Sequence, residues 1–148
     1  LFMFIGGSSG STAGGIKTGT FFVIIAAVYN MFRGREEVEV FERTIHRRTV
    51  QKAVSIVTIS LLTVLILCLI LLYTEEASFK AVIFEAFSAF GTVGLSTGLC
   101  SDLTVIGKVV VSMLIFIGRI GPLTLALVLG REIAGSKIRF PEERIVVG

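Results

Sequence analysis

Long apolar stretches separated by short polar ones dominate this sequence. The longest, residues 53–74, contains no charged side chain, and as a helix it would be about 33 Å long at about 1.5 Å per residue. Because the hydrocarbon core of a bilayer is about 30 Å thick, this stretch predicts a membrane-spanning helix. A second stretch, residues 106–130, predicts another span, which Lys108, Arg119 and Pro122 interrupt.

The remaining apolar segments are too short or too irregular to cross as simple helices. Residues 1–32 are apolar at both ends with small residues between, which predicts a broken inner span with an irregular loop over 6–15. Residues 77–90 predict a helix of only about 20 Å, followed by a stretch rich in Gly, Thr and Ser. Non-helical backbone at membrane depth is tolerated only inside protein or beside water, so this pattern predicts a re-entrant loop.

Together these elements predict an all-α integral membrane protein. Residues 53–74, 75–99 and 106–130 would form a span–pore helix–span repeat, the potassium-channel-like unit of tetrameric cation channels. Residues 33–52 form a polar linker, which we predict to be a helix in solvent or at the membrane surface, and residues 131–148 form a polar tail. Lys and Arg concentrate in the linker and the tail, so we expect both in the cytosol.

Composition supports a membrane protein and excludes other classes. The chain has 148 residues, 53% hydrophobic and 17% charged, with a mean hydropathy of +0.90, whereas soluble domains average about 25% charged residues. With one histidine and no cluster of catalytic side chains, neither an enzyme nor a cofactor is expected. No basic run with interleaved aromatics points to nucleic acid. We expect no disulfide between Cys68 and Cys100.

The re-entrant loop contains a candidate ion filter. Potassium filters are TVGYG loops whose carbonyl oxygens replace the water around the ion. Thr92, Val93 and Gly94 match the first three positions, while Leu95 and Ser96 replace Tyr and Gly. Glycine permits the backbone angles that turn carbonyls toward an axis, and the C-terminal end of the preceding helix favours a cation. The alternative is an ordinary turn between two helices.

Small residues fill the stretch 6–15, which we call the glycine loop and whose glycines are Gly6, Gly7, Gly10, Gly14 and Gly15. A phosphate-binding loop is disfavoured, because Ile16 separates the last glycine from Lys17. Close helix packing through small residues is a second interpretation. Gly and Ser are poor helix formers, however, which favours an unwound segment lining a pore.

Arg119 lies near the centre of the predicted span 106–130. A charge there costs at least about 2.5–3.5 kcal/mol and is normally functional or paired. Gly118, Gly121 and Pro122 predict a kinked or locally opened helix around it. Arg119 would then point into the pore, where it repels cations or holds the glycine loop. The alternative is a structural ion pair with a carboxylate such as Glu85.

Three stretches identify a family resemblance: residues 3–18 (MFIGGSSGSTAGGIKT), 90–99 (FGTVGLSTGL) and 116–124 (FIGRIGPLT). They closely resemble the C-terminal part of the KtrB family, the membrane subunits of bacterial Ktr potassium-uptake systems in the Ktr/Trk/HKT superfamily. The resemblance implies four fused repeats around one pore, with residues 1–32 as the second half of the third repeat and 53–130 as the fourth. It also implies that the glycine loop and Arg119 form a gate below the filter.

The resemblance carries further expectations. It implies K⁺ as cargo with Na⁺ as a candidate coupling ion, a multi-pass location in the bacterial plasma membrane, and a nucleotide-binding regulatory subunit of the KtrA type at the cytosolic face. It also implies a homodimer contact at Ile145, Val146, Val147 and Gly148, for which a loosely ordered terminus or membrane-surface contact is the alternative. We expect the chain to be part of a longer protein. The competing function is a membrane scaffold without ion flux.

Overall fold

The computed structural model describes residues 2–8, 13–34, 38–40 and 43–121, and within these ranges the chain is mostly helical. In chain order the elements are a 3-10 turn (Phe2–Phe4), α1 (Thr18–Phe32), β1 (Val38–Val40), β2 (Arg43–Ile45), α2 (Arg47–Thr74), α3 (Phe79–Gly91), α4 (Leu99–Asp102) and α5 (Val105–Ile120).

The longest element is α2, with 28 residues. Among the residues that the structure describes, it is the one helix long and apolar enough to cross a membrane. Its buried positions include Val64, Cys68 and Leu71, whose spacing of four and three residues places them on one helix face. Leu65 and Leu69 on the outer face remain exposed. One face of α2 therefore packs into the apolar core, and the opposite face presents exposed apolar side chains.

The predicted linker helix forms only from Arg47 onward, where α2 begins, and the middle of the linker is not helical. Instead β1 and β2 pair as an antiparallel hairpin, with Val38 opposite Ile45 and Val40 opposite Arg43. β-branched side chains such as Val, Ile and Thr favour strands over helices, which accounts for the difference. The amide of Asn30, buried in α1, donates to the carbonyl of Glu39 at 3.0 Å and so fixes the hairpin to α1.

Helices α2, α3 and α5 share one apolar core. In α3, Val82, Ala86 and Phe90 are fully buried at intervals of four residues, which places them on one face. They meet residues of α2 and of α5, among them Leu114. The start of α3 is fixed by Ser78, whose hydroxyl accepts from the backbone N–H of Ala81 at 3.4 Å. The core therefore holds the short helix between the two longer ones.

A buried carboxyl joins the end of α2 to the start of α5. Glu75, 8% exposed, accepts hydrogen bonds from the backbone N–H of Thr104 at 3.1 Å and from its hydroxyl at 2.5 Å. These bonds from Thr104 lower the pKa of Glu75, because they stabilise the ionised form. Beyond α5, the rest of the predicted span (122–130) and the predicted tail (131–148) lie outside the described residues.

Candidate ion filter and glycine loop

The candidate filter is the loop that follows α3, residues 92–98, which we call the filter loop. The backbone turns sharply where the helix ends, since Thr92 has a φ of 51° and Gly94 a φ of 81°. The N–H groups of Thr92 and Val93 donate to the carbonyls of Ala89 and Ser88, at 3.1 and 3.0 Å. Thr92 and Val93, which we call the inner end of the filter loop, are thus hydrogen-bonded to the last turn of α3.

Residues 95–97, which we call the outer end of the filter loop, are hydrogen-bonded to side chains of α3. The Ser88 hydroxyl donates to the carbonyl of Leu95 at 2.5 Å, so this carbonyl is turned toward α3. One turn earlier, the Glu85 carboxyl accepts from the Ser96 hydroxyl and from the backbone N–H of Thr97, the latter at 2.9 Å. Of the five predicted filter residues, Leu95 and Ser96 are therefore hydrogen-bonded to α3.

The segments that enter and leave the glycine loop are hydrogen-bonded to each other. Ile5 and Ile16 form a parallel bridge, and the N–H of Gly6 donates to the carbonyl of Ile16 at 2.7 Å. The N–H of Thr18 donates to the carbonyl of Gly7 at 3.2 Å, at the start of α1. The two ends therefore lie side by side, and Gly10, at the centre of the loop, lies outside the described residues.

The three sequence motifs meet at the inner end of the filter loop. The N–H of Gly14 donates to the Thr92 hydroxyl at 2.8 Å, and the N–H of Gly15 donates to the carbonyl of Gly118 at 3.1 Å. Gly118 is itself pressed against the end of α3, because a Cβ added there would overlap the carbonyl of Phe90. The base of the glycine loop thus lies between the filter loop and α5.

Arg119 follows Gly118 in the last turn of α5 and is exposed. The carboxyl of Glu85 is buried and receives its described hydrogen bonds from the filter loop and Cys100. These hydrogen bonds account for both Glu85 oxygens without Arg119, and an ion pair of Arg119 with Glu85 or with a carboxylate outside this chain stays a prediction. The helix ends directly afterwards at Gly121, with a φ of 90°.

Comparison with known proteins decides the family. Residues 1–134 match the model of the TrkH family, described as a cation transport protein. The chain belongs to the TrkH family. It is 43% identical over 148 residues to the Ktr system potassium uptake protein B of Bacillus subtilis, covering 100% of this chain and 33% of that protein. It is also 43% identical over 152 residues to the potassium/sodium uptake protein NtpJ of Enterococcus hirae, covering 99% of this chain and 34% of that protein.

These relatives confirm the resemblance to the Ktr/Trk proteins. A third, the Ktr system potassium uptake protein D of Bacillus subtilis, is 40% identical over 146 residues, covering 99% of this chain and 32% of that protein. The chain spans about a third of the length of the curated relatives it matches. TrkH-family relatives are membrane transport proteins and not enzymes, which confirms the expectation of a non-enzymatic protein.

Sequence reasoning missed two side chains of this TrkH-family site. Glu85 was considered only as a partner of Arg119, and Ser88 was not considered at all. The available signal was a carboxyl inside a predicted apolar helix of a membrane protein, since an ionisable group at membrane depth is expensive and normally has a partner. The spacing of the two residues also places them on one side of α3, close to the loop that follows it.

Proposed function

We propose that this chain is part of the pore-forming subunit of a monovalent cation uptake protein, with potassium as its main cargo. The observation that carries the proposal is the meeting of the glycine loop, the filter loop and Gly118 at the inner end of α3. The names of the relatives, which specify uptake of potassium or of potassium and sodium, agree with this cargo.

In the proposed mechanism the filter loop binds the dehydrated ion through backbone carbonyls. The carbonyls of Thr92, Val93 and Gly94 are the candidates, because that of Leu95 already accepts from Ser88. The φ of 81° at Gly94 belongs to a backbone region that glycine enters without steric cost. The C-terminal end of α3 carries a partial negative charge equivalent to about half an elementary charge, which favours a cation beside the filter loop.

The glycine loop and Arg119 would gate the path below the filter loop. The N–H of Gly14 donates to the Thr92 hydroxyl and the N–H of Gly15 donates to the carbonyl of Gly118, so the glycine loop would close the path next to the filter loop. The exposed guanidinium of Arg119 lies one residue beyond Gly118. There it would repel cations or donate to carbonyls of the loop, and Na⁺ remains a proposed coupling ion.

The surroundings of the protein are part of the same proposal. We propose a multi-pass protein in the bacterial plasma membrane, with four fused repeats around a single pore. This chain would contribute one complete repeat and half of another. A homodimer through residues 145–148 and a regulatory subunit of the KtrA type on the cytosolic face complete the assembly. The hairpin β1–β2 is a candidate part of that cytosolic face, because it lies in the linker, where Lys and Arg concentrate.

The test uses the natural protein that contains this chain, expressed in a bacterium that lacks its own potassium uptake systems. We expect rescue of growth at low external potassium, loss of rescue in Gly94→Val, and higher cation flux when residues 8–13 are deleted. The control is Lys108→Gln, an exposed position on α5 that faces neither loop. A stable, membrane-inserted protein without potassium flux would instead identify the scaffold.

A further inference from the structure

We infer that Glu85 is a positioning residue that sets the ion selectivity of the filter loop by fixing its outer end to α3. This inference rests on the proposed function and adds to it a residue that determines specificity without touching the ion. It concerns the filter bracket, which we define as the hydrogen bonds to the Glu85 carboxyl from Ser96, Thr97 and Cys100.

The filter bracket uses both carboxyl oxygens. Oε1 accepts from the hydroxyl of Ser96, and from the backbone N–H and hydroxyl of Thr97 at 2.9 and 3.3 Å. Oε2 accepts from the thiol of Cys100 at 3.4 Å. Ser96 extends the bracket, because its hydroxyl also accepts from the N–H of Gly98 at 3.0 Å. A single buried side chain therefore fixes the loop from 96 to 100.

Packing within this chain does not by itself hold the filter loop in place. Its residues from Val93 to Gly98 are exposed, and a cavity of about 270 Å³ lies between the loop, α3 and α5. Glu85 and Ser88 line this cavity together with Ser96. Because the loop has room to move toward α3 or away from it, its position depends on the directional bonds that join it to the helix.

The position of the loop decides which ion it prefers. The carbonyls of Thr92, Val93 and Gly94 lie between the cap at Ala89 and Ser88 and an outer attachment, which consists of the Ser88–Leu95 bond and of the filter bracket that follows directly at Ser96 and Thr97. Discrimination between K⁺ and Na⁺ depends on the cavity that such carbonyls form and on how strictly their positions are kept. Releasing the outer end would let the loop contract around the smaller ion, so relative Na⁺ uptake should rise.

The experiment measures tracer ⁸⁶Rb⁺ and ²²Na⁺ uptake into liposomes that contain the natural full-length protein. In Glu85→Leu we expect the Rb⁺/Na⁺ uptake ratio to fall by about tenfold or more, which corresponds to about 1.4 kcal/mol of lost discrimination. Glu85→Gln keeps an oxygen that can accept from Ser96 and Thr97, so its ratio should stay within about threefold of the wild type.

The matched control is Glu75→Leu. Glu75 is also a buried carboxyl that accepts from a hydroxyl and a backbone N–H, but its partner is Thr104, away from the filter loop. Its loss should lower thermal stability and leave the uptake ratio unchanged. A purely structural role of Glu85 would give the same result for both leucine variants.

Each outcome supports or overturns the inference. A ratio that stays unchanged in Glu85→Leu overturns it, and so does an equal loss in Glu85→Gln, because negative charge and not the bracket would then be responsible. If Glu85→Leu does not fold, Ser96→Ala removes one bond of the bracket from the exposed side and should lower the ratio in the same direction by a smaller factor. Absence of Rb⁺ uptake by the wild type would instead refute the proposed function itself.

Discussion

Replacing Gly118 with alanine is the sharpest test of how α5 meets the filter loop. The added Cβ would overlap the carbonyl oxygen of Phe90 and lie 2.8 Å from its carbonyl carbon. An ordinary carbon–carbon contact is about 3.5–4.0 Å, so the two backbones must separate by at least about 0.7 Å. Neither side can yield by a rotamer change, because both are helix backbone.

The cost has two parts. Overpacking in a well-packed core costs about 1–3 kcal/mol. The carbonyl of Gly118 also accepts from the N–H of Gly15 at 3.1 Å, and a shift of this size stretches that bond beyond its usual limit, which costs about 0.5–1.5 kcal/mol more. We therefore expect Gly118→Ala to lose about 1.5–4.5 kcal/mol of stability.

The assay is thermal unfolding of the purified full-length protein in detergent, with Gly121→Ala as the control on the same helix end. No described atom lies within 4 Å of a Cβ at Gly121, and only its φ of 90° is unfavourable for alanine, at a cost of about 1–2 kcal/mol. Gly118→Ala should therefore melt at the lower temperature of the two. Equal melting temperatures would refute the close contact between α5 and α3.

Three further predictions concern single side chains. Thr104 lowers the pKa of Glu75 in the folded protein, so the stabilisation by the ionised carboxyl is complete above about pH 4.3 and is lost as the pH falls below that value. Below about pH 4.3 the melting temperature of Glu75→Gln should therefore fall less than that of the wild type. An equal fall would contradict a lowered pKa at Glu75. Asn30→Leu should speed hydrogen exchange in the hairpin but not in α2, since the amide bond to β1 is removed; unchanged exchange would show that the hairpin is held otherwise. Thr92→Val should speed exchange of the Gly14 amide about 5–30-fold by removing its acceptor, whereas Thr92→Ser should not, and equal rates would exclude this bond.

The helical character of the protein could be predicted from sequence because it depends on local patterns. The uninterrupted apolar stretch over 53–74 indicates a long apolar helix, and the structure has α2 there. The hairpin β1–β2 was missed, because its alternation of β-branched and polar residues spans only three positions per strand. Such a short pattern is weaker than the overall charge of the linker, which suggested a solvated helix.

The details of the candidate site could not be predicted, because they depend on contacts between segments distant in sequence. Gly14 and Thr92 are hydrogen-bonded although 78 positions separate them. The role of Glu85 depends on where the filter loop folds back along α3, and the sequence showed only a carboxyl of unknown partner. The placement of residues 145–148 stays a prediction, since they lie outside the described residues.

The anchoring of the glycine loop limits how a gate could work here. Both ends of the loop are attached, one end to the other through Ile5 and Ile16, and Gly14 and Gly15 are attached to Thr92 and Gly118. A gate that moved as a whole would break these bonds and release the inner end of the filter loop at the same time. We therefore expect the proposed gate movement to leave the bonds of Gly14 and Gly15 intact, so that the filter loop stays fixed while the gate opens. Deletion of residues 8–13 should therefore raise flux without changing the Rb⁺/Na⁺ ratio, whereas loss of the Gly14–Thr92 bond should affect both.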